Sequence, residues 1–398
     1  MPAITEDSVY EHVHGICFKT GPPGLVGAEA EWLVTDPSTP DRHVPLAELQ
    51  AAVTRAGDLP SGSAISYEPG GQLELSTLPY DGVSACRQAL QDDLDHVSTA
   101  LDATGLTLTG LGLDPVRTPR RQLDLPRYLA MEAFFDVHAR ADAGRSMMCS
   151  TAGLQICLDI GRDTTDAAKR WRLAHALGPV LVAAFANSPV AAGRRTGWRS
   201  TRQAIWARLD PGRCAPARHD ARTGPADAWA AYALDARMMC VRGEDTDWSY
   251  DPGFTLREWI AGAGERRPTA DDLEFHLSTL FPPVRPRGWL ELRMIDAQDH
   301  RWWPVPLAVV TALVEDPMAG SAAAAAAMPV AGRWREAARY GPADPPLRAA
   351  VRACLAAAER ALPGIGADPA LCELVSTFID RYADRGRCPA DDVIEEFP

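Results

Sequence analysis

Four stretches of the chain alternate polar and apolar side chains with the period of two that marks a strand with one covered face. In GAEAEWLVT, residues 27–35, Glu29 and Glu31 share one face while Ala28, Ala30, Trp32 and Val34 share the other. GQLELST sets Gln72, Glu74 and Ser76 against Leu73, Leu75 and Thr77. TAGLQICLDI sets Gln155 and Asp159 against Leu154, Ile156 and Leu158, and GWLELRMID sets Glu291 and Arg293 against Leu290, Leu292 and Met294. Each predicted strand therefore carries one apolar face and one face bearing acid or amide.

Between these strands the period changes to that of amphipathic helices, over residues 82–104 and 166–186, the second stopped by Asn187-Ser188-Pro189. Strands separated by long helices allow a parallel sheet. One-sided polar faces favour an antiparallel one, with helices behind it and an open polar face in front. The predicted class is therefore α+β. From about Pro304 the texture becomes Ala-rich helix former, including the alanines at 322–327 and the run 347–362, which predicts a helical tail. No fixed-period repeat is visible.

Composition narrows the function. A chain of 398 residues with 46% hydrophobic and 23% charged residues has the make-up of a globular protein, and no apolar run reaches the roughly 20 residues that span a bilayer. The first 15 residues lack a basic segment followed by an apolar one, so a cytoplasmic protein without a membrane segment is expected. A net charge of −13 disfavours a general nucleic-acid binder. The 9 cysteines, an odd number with no C-x-x-C pair, argue against a disulfide framework and a Cys-rich zinc site, and predict reduced core residues. His12 and His14 have metal-like spacing but read as surface residues. No protein partner is evident.

The remaining chemistry lies in the acids. P-loop, Rossmann, kinase, H-E-x-x-H and G-x-S-x-G motifs are absent. Glu29 and Glu31 point the same way, about 7 Å apart along the strand. Glu68 and Glu74 flank the turn Pro69-Gly70-Gly71, and Glu291 stands on the last strand. Carboxylates gathered on one sheet repel one another unless a cation lies among them, and a cluster without His fits Mg²⁺ better than zinc. Gln155 adds a neutral oxygen. Arg293 would place a guanidinium beside phosphate oxygens, and Arg202, in the Arg- and Trp-rich segment 197–213, suits a small carboxylate.

The stretches GAEAEWLV, YEPGGQLELST, MMCSTAGLQICLD, AFANSPVAAG, RSTRQAIW and LSTLFPPVRPRGWLELR, in this order, resemble the glutamate–cysteine ligases of the plant and proteobacterial-like group, and within it the actinobacterial enzymes that start ergothioneine synthesis. The resemblance implies a glutamine-synthetase-like curved antiparallel β-sheet with helices packed on its convex side. It implies a catalytic domain over residues 1–315, with 316–398 as a helical extension packed on the same core. It further implies ATP as co-substrate, two or three Mg²⁺ ions, and ligation of the L-glutamate γ-carboxylate to the L-cysteine amine through γ-glutamyl phosphate. By position in the motifs, Glu29, Glu31, Glu68, Glu74 and Glu291 correspond to metal ligands, and Arg293 with Glu291 to catalytic residues. Arg202, Thr151 and Gln155 correspond to substrate-binding positions. Cys157 departs from the family's pattern, which commonly has Asn there. A same-fold ligase using another amine, or a non-catalytic nucleotide- or metal-binding regulator, are the alternative readings.

Overall fold

The computed structural model describes residues 3–140, 142–217, 223–243, 248 and 251–397; the outermost residues of both expected domains, 1–2 and 398, lie outside that set. The strands are β1 (Leu25–Thr35), β2 (Ala64–Tyr67), β3 (Leu73–Ser76), β4 (Tyr80–Asp81), β5 (Thr107–Thr109), β6 (Gly153–Asp159), β7 (Val190–Ala191), β8 (Arg194–Arg195), β9 (Val284–Pro286) and β10 (Trp289–Asp296). The main sheet runs β2-β3-β1-β6-β10-β9, with β4 and β5 also paired to β1, and every pairing in it is antiparallel. β7 and β8 form a separate hairpin.

β1 is the hub of the sheet because its 11 residues are long enough to meet β3, β4, β5 and β6 at different points. The alternation in its sequence fixes which residues face which layer. Ala28, Ala30, Trp32 and Val34 are buried behind the sheet together with Leu73, Leu75, Leu154, Ile156, Leu158, Leu290 and Leu292. Against them pack the helices Val83–Asp102, Thr164–Phe185 and Pro304–Glu315, through residues such as Leu90, Leu94, Trp171, Leu181, Leu307 and Val310. Each large aliphatic side chain fully buried there contributes roughly 1.5–3 kcal/mol, so a one-residue slip of β1 would be costly. The helix Thr164–Phe185 begins where the Asp163 carboxylate accepts from the amides of Thr165 and Asp166.

The Ala-rich tail forms helices Pro317–Ala327, Pro345–Ala361 and Pro369–Phe378, whose Ala323, Leu347, Leu355, Val375 and Phe378 join the same apolar cluster. No single helix among the described residues is long and apolar enough to cross a membrane. In front of the sheet lies a second, smaller apolar cluster that includes Met131, Phe134, Met147, Met148, Ile205 and Leu209. Most of these residues come from the helices Pro126–His138, Ala143–Ser150 and Thr201–Trp206.

Candidate active site

The polar face of the sheet and the helices in front of it enclose a cleft of about 300 Å³. Glu29, Glu31, Glu68, Glu74, Thr151, Gln155, Arg202 and Arg293 all line it. Glu291 stands just behind the wall, fully buried.

Strand register explains the assembly. Glu29 lies opposite Gln155 on one side and Ser76 on the other, and Glu31 lies opposite Glu74. Glu68 belongs to the turn before β3, where the Gly71 amide donates to the Glu68 carbonyl (2.8 Å) and the Glu68 amide to the Gln72 carbonyl (2.9 Å). Gly70 is required there, since a Cβ would stand 2.1 Å from the Cys149 carbonyl oxygen. On β10, Glu291 lies opposite Cys157 of β6 and Arg285 of β9. A bulge between Leu292 and Ile295 then lets Leu154 and Ile295 pair on the core side.

The acids fall into two groups. Ligand atoms of Glu31, Glu68 and Glu74 all lie within 4.8 Å of one another, and those of Glu29, Cys157 and Glu291 likewise. Burial, then Glu31 and Glu74, holds the Glu68 carboxyl well above the usual range. Burial, then Glu291 and Glu74, pushes Glu29 up to about 7. Glu74 is raised by burial and by Glu31, although the Ser66 hydroxyl donates to it at 2.6 Å. Glu31 is raised by burial despite Arg202 and the Gly153 amide, which donates at 2.7 Å. Glu291 behaves oppositely: burial alone would raise it, but Arg285 and Arg293 pull it down to about 2. Its Oε2 accepts from Arg285 Nε (2.6 Å) and Arg293 Nη1 (2.9 Å), whereas Oε1 is buried with no hydrogen bond.

Carboxylates held this close, four of them with their pKa raised by burial and by one another, fit a hard divalent cation, which takes oxygen donors at short range. Beside them stands a cationic wall of Arg127, Arg202, Arg285, Arg287 and Arg293. Arg293 also donates to the side-chain amide oxygen of Gln155. Arg202, only 4% exposed, donates Nη2 to the Arg293 carbonyl (3.1 Å) and leaves Nε and Nη1 without hydrogen-bond partners. It is set by a buried hub. Asp296 accepts from the Asn187 amide (2.9 Å) and the hydroxyls of Ser188 (2.7 Å) and Ser200 (2.9 Å), and lies 3.8 Å from Arg202 Nη1. Gly153 makes room, because a Cβ there would meet Arg202 Nη2 at 2.5 Å. The Thr151 hydroxyl donates to the Met147 carbonyl, and its own carbonyl accepts from Gln72.

Sequence reasoning missed Arg127, Tyr128, Arg285 and Arg287. Glu291, paired with Arg293, is sealed from solvent. His14 meets Asp227 at an exposed position, as expected, whereas His12 is half-buried; neither lines the cleft. All 9 cysteines are free.

Comparison with known proteins places this arrangement. The family described as glutamate-cysteine ligase family 2 matches residues 25–396. The chain is 43% identical over 390 residues to glutamate–cysteine ligase EgtA of Mycolicibacterium smegmatis, covering 96% of this chain and 89% of the relative. Chloroplastic glutamate–cysteine ligase of Brassica juncea is 32% identical over 252 residues, 60% of this chain and 47% of the relative. Among solved structures, glutamate–cysteine ligase from Francisella tularensis in complex with AMP superposes with a TM-score of 0.53 at 11% identity, covering 94% of this chain and 85% of that one. A bifunctional glutathione synthetase from Pasteurella multocida gives 0.50 at 14% identity, covering 98% of this chain and 50% of that one. At such identities the structural likeness concerns the fold, which is the glutamine-synthetase-like α+β fold expected from the sequence.

Proposed function

The chain belongs to glutamate-cysteine ligase family 2, and from that premise we propose how it joins the γ-carboxylate of L-glutamate to the amine of L-cysteine as γ-glutamylcysteine, with ATP as co-substrate. The observation that carries the mechanism is the set of carboxylates and arginines brought to one cleft by strand register.

A carboxylate is a poor acyl donor because its leaving group would be oxide. Transfer of the ATP γ-phosphoryl group to the glutamate γ-carboxylate gives a mixed anhydride, and attack of the cysteine amine on its acyl carbon releases phosphate. Two or three Mg²⁺ ions, held by Glu31, Glu68 and Glu74 on one side and by Glu29 and Glu291 on the other, would neutralise phosphate charge. Arg293 directs a guanidinium into the cleft and is held rigid by Glu291 and Gln155, so it stabilises the transferred oxygens without reorganising. Arg202, which lines the cleft and whose Nε has no hydrogen-bond partner, would bind the glutamate carboxylate. Glu31 is fixed by the Gly153 amide, and Gln155 and Thr151 complete the substrate side. No covalent enzyme intermediate is needed.

In this reading residues 1–315 form the catalytic unit, and 316–398 a helical extension on the same core. The product would serve ergothioneine synthesis. The test is ADP release from the purified protein with Mg²⁺-ATP, L-glutamate and a panel of amines. Turnover dependent on both glutamate and cysteine is expected. Turnover preferring another amine would reassign the acceptor, and none with any amine would overturn the mechanism.

A further inference from the structure

We infer that Cys157 converts the β6–β10 side of the cleft into a mixed thiolate–carboxylate site for a borderline-soft divalent cation, Zn²⁺ foremost, which competes there with the hard ion. The inference rests on the reading of Glu29 and Glu291 as ligand positions and adds a donor of different chemistry to them.

Strand register puts the thiol in place. Cys157 pairs with Glu291 on β10 and with Gly27 on β1, two residues before Glu29 and therefore on its face. Gly27 adds no side chain beside the thiol; a Cβ there would stand in contact with Cys157 Cβ at 3.5 Å and with the Thr77 hydroxyl at 3.7 Å. Donor atoms of Glu29, Cys157 and Glu291 lie within 4.8 Å of one another. Ligands about 2.0–2.3 Å from zinc stand roughly 3.5 Å apart in a tetrahedron, so small side-chain rotations close the set. The second observation is Glu291 itself. It is 0% exposed, its Oε2 is committed to two guanidinium groups, and its buried Oε1 makes no hydrogen bond. Arg287 Nη1, on a half-exposed side chain, pairs with that oxygen at 3.6 Å, too far for a hydrogen bond. A buried carboxylate oxygen without a hydrogen bond is costly, and a bound cation satisfies it.

Mg²⁺ takes oxygen donors and gains little from sulfur, whereas thiolate selects zinc-class ions. Coordination displaces the thiol proton to solvent, and no electron transfer is involved. Among the described residues no other cysteine joins a group of this kind, so one substitution isolates the effect.

The experiment titrates full-length wild type, Cys157→Ser, Cys157→Asn and, as a control, Cys149→Ser with Co²⁺, followed by near-ultraviolet thiolate-to-metal charge transfer, and with Zn²⁺ against a chromogenic chelator, all without ATP. The expected result is a charge-transfer band in wild type and Cys149→Ser that both Cys157 variants lack, with Zn²⁺ affinity lower by about tenfold or more in those two. A wild type without the band, or a Cys157→Ser or Cys157→Asn protein that keeps it, overturns the inference. Mg²⁺-dependent turnover of the wild type is measured separately. Turnover without the band sinks the thiolate site alone, while the band without turnover supports it and sinks the ligase mechanism.

Discussion

Replacing Glu29 with Gln should make the metal-free protein more stable at alkaline pH while disabling catalysis. Burial and the carboxylates of Glu291 and Glu74 push Glu29 from 4.5 up to about 7. The folded protein therefore holds a proton that the unfolded chain has released, and stability attributable to this residue falls as pH rises from about 4.5 to about 7. Above about pH 7 the full deficit is present. At about 1.4 kcal/mol per tenfold the deficit is roughly 3 kcal/mol, and Gln, which cannot ionise, escapes it. With an unfolding entropy of about 2.1 cal/mol/K per residue over 398 residues, that corresponds to roughly 4 °C. The comparison must be between variant and wild type at each pH. Burial and Arg213 hold His276 down at about 3, so its contribution rises between pH 3 and 6.5 and opposes the trend in both proteins. Thermal melts in EDTA at pH 5 and pH 8 should show a variant near wild type at pH 5 and above it by a few degrees at pH 8. Added Mg²⁺ should raise the wild type more than the variant. A difference independent of pH, or a wild type more stable than the variant at pH 8 in EDTA, would refute the account of a cluster strained by missing positive charge.

Four further outcomes are expected. Arg285→Ala removes one of the two guanidinium hydrogen bonds of a fully buried Glu291 and should cost about 3–5 kcal/mol in denaturant unfolding, with Arg285→Lys recovering part of it. Gly70→Ala drives a Cβ into the Cys149 carbonyl and should cost about 1–3 kcal/mol, together with turnover, since Glu68 moves with the turn. Arg293→Ala should lower kcat by about 10²–10³-fold, whereas Arg202→Lys, which loses the planar fork, should act mainly on KM for glutamate; steady-state kinetics separates the two.

The acidic face was legible because period-two alternation in a strand states directly which side chains share a side. Glu29, Glu31, Glu74 and Glu291 followed from that alone, and Glu68 from the Pro-Gly-Gly turn that brings it back. Alternation says nothing of position along the strand. Asp159 shares the polar face of Gln155, yet it lies at the far end of β6 and accepts from the amides of Gly24 and Leu25. Arg285 was hidden because β9 is only three residues long and ends in proline. A signal existed nonetheless: Gly288, at φ +85°, turns the chain, and counting outward from it sets Arg285 opposite Glu291. Arg127 and Tyr128 sit at the start of a helix whose weak amphipathic pattern gave no warning. The Asp296 hub was equally unreadable, since it joins residues more than 90 apart in sequence.

The apolar cluster in front of the sheet is separate from the core behind it. Met131, Met147 and Met148 from that cluster line the cleft, as do the adjoining Trp206 and Phe281. Most of the acids are thus supplied by paired strands, while much of the cavity's shape, and Arg127 and Arg202, are supplied by helices. Over evolutionary time these two parts answer to different pressures. Exchanges among the methionines reshape the cavity at modest cost, because unbranched thioether side chains repack easily. Exchanges on the strands disturb every acid at once. A lineage drifting toward a new acceptor would accumulate its changes in the covering helices and inherit the phosphoryl chemistry intact.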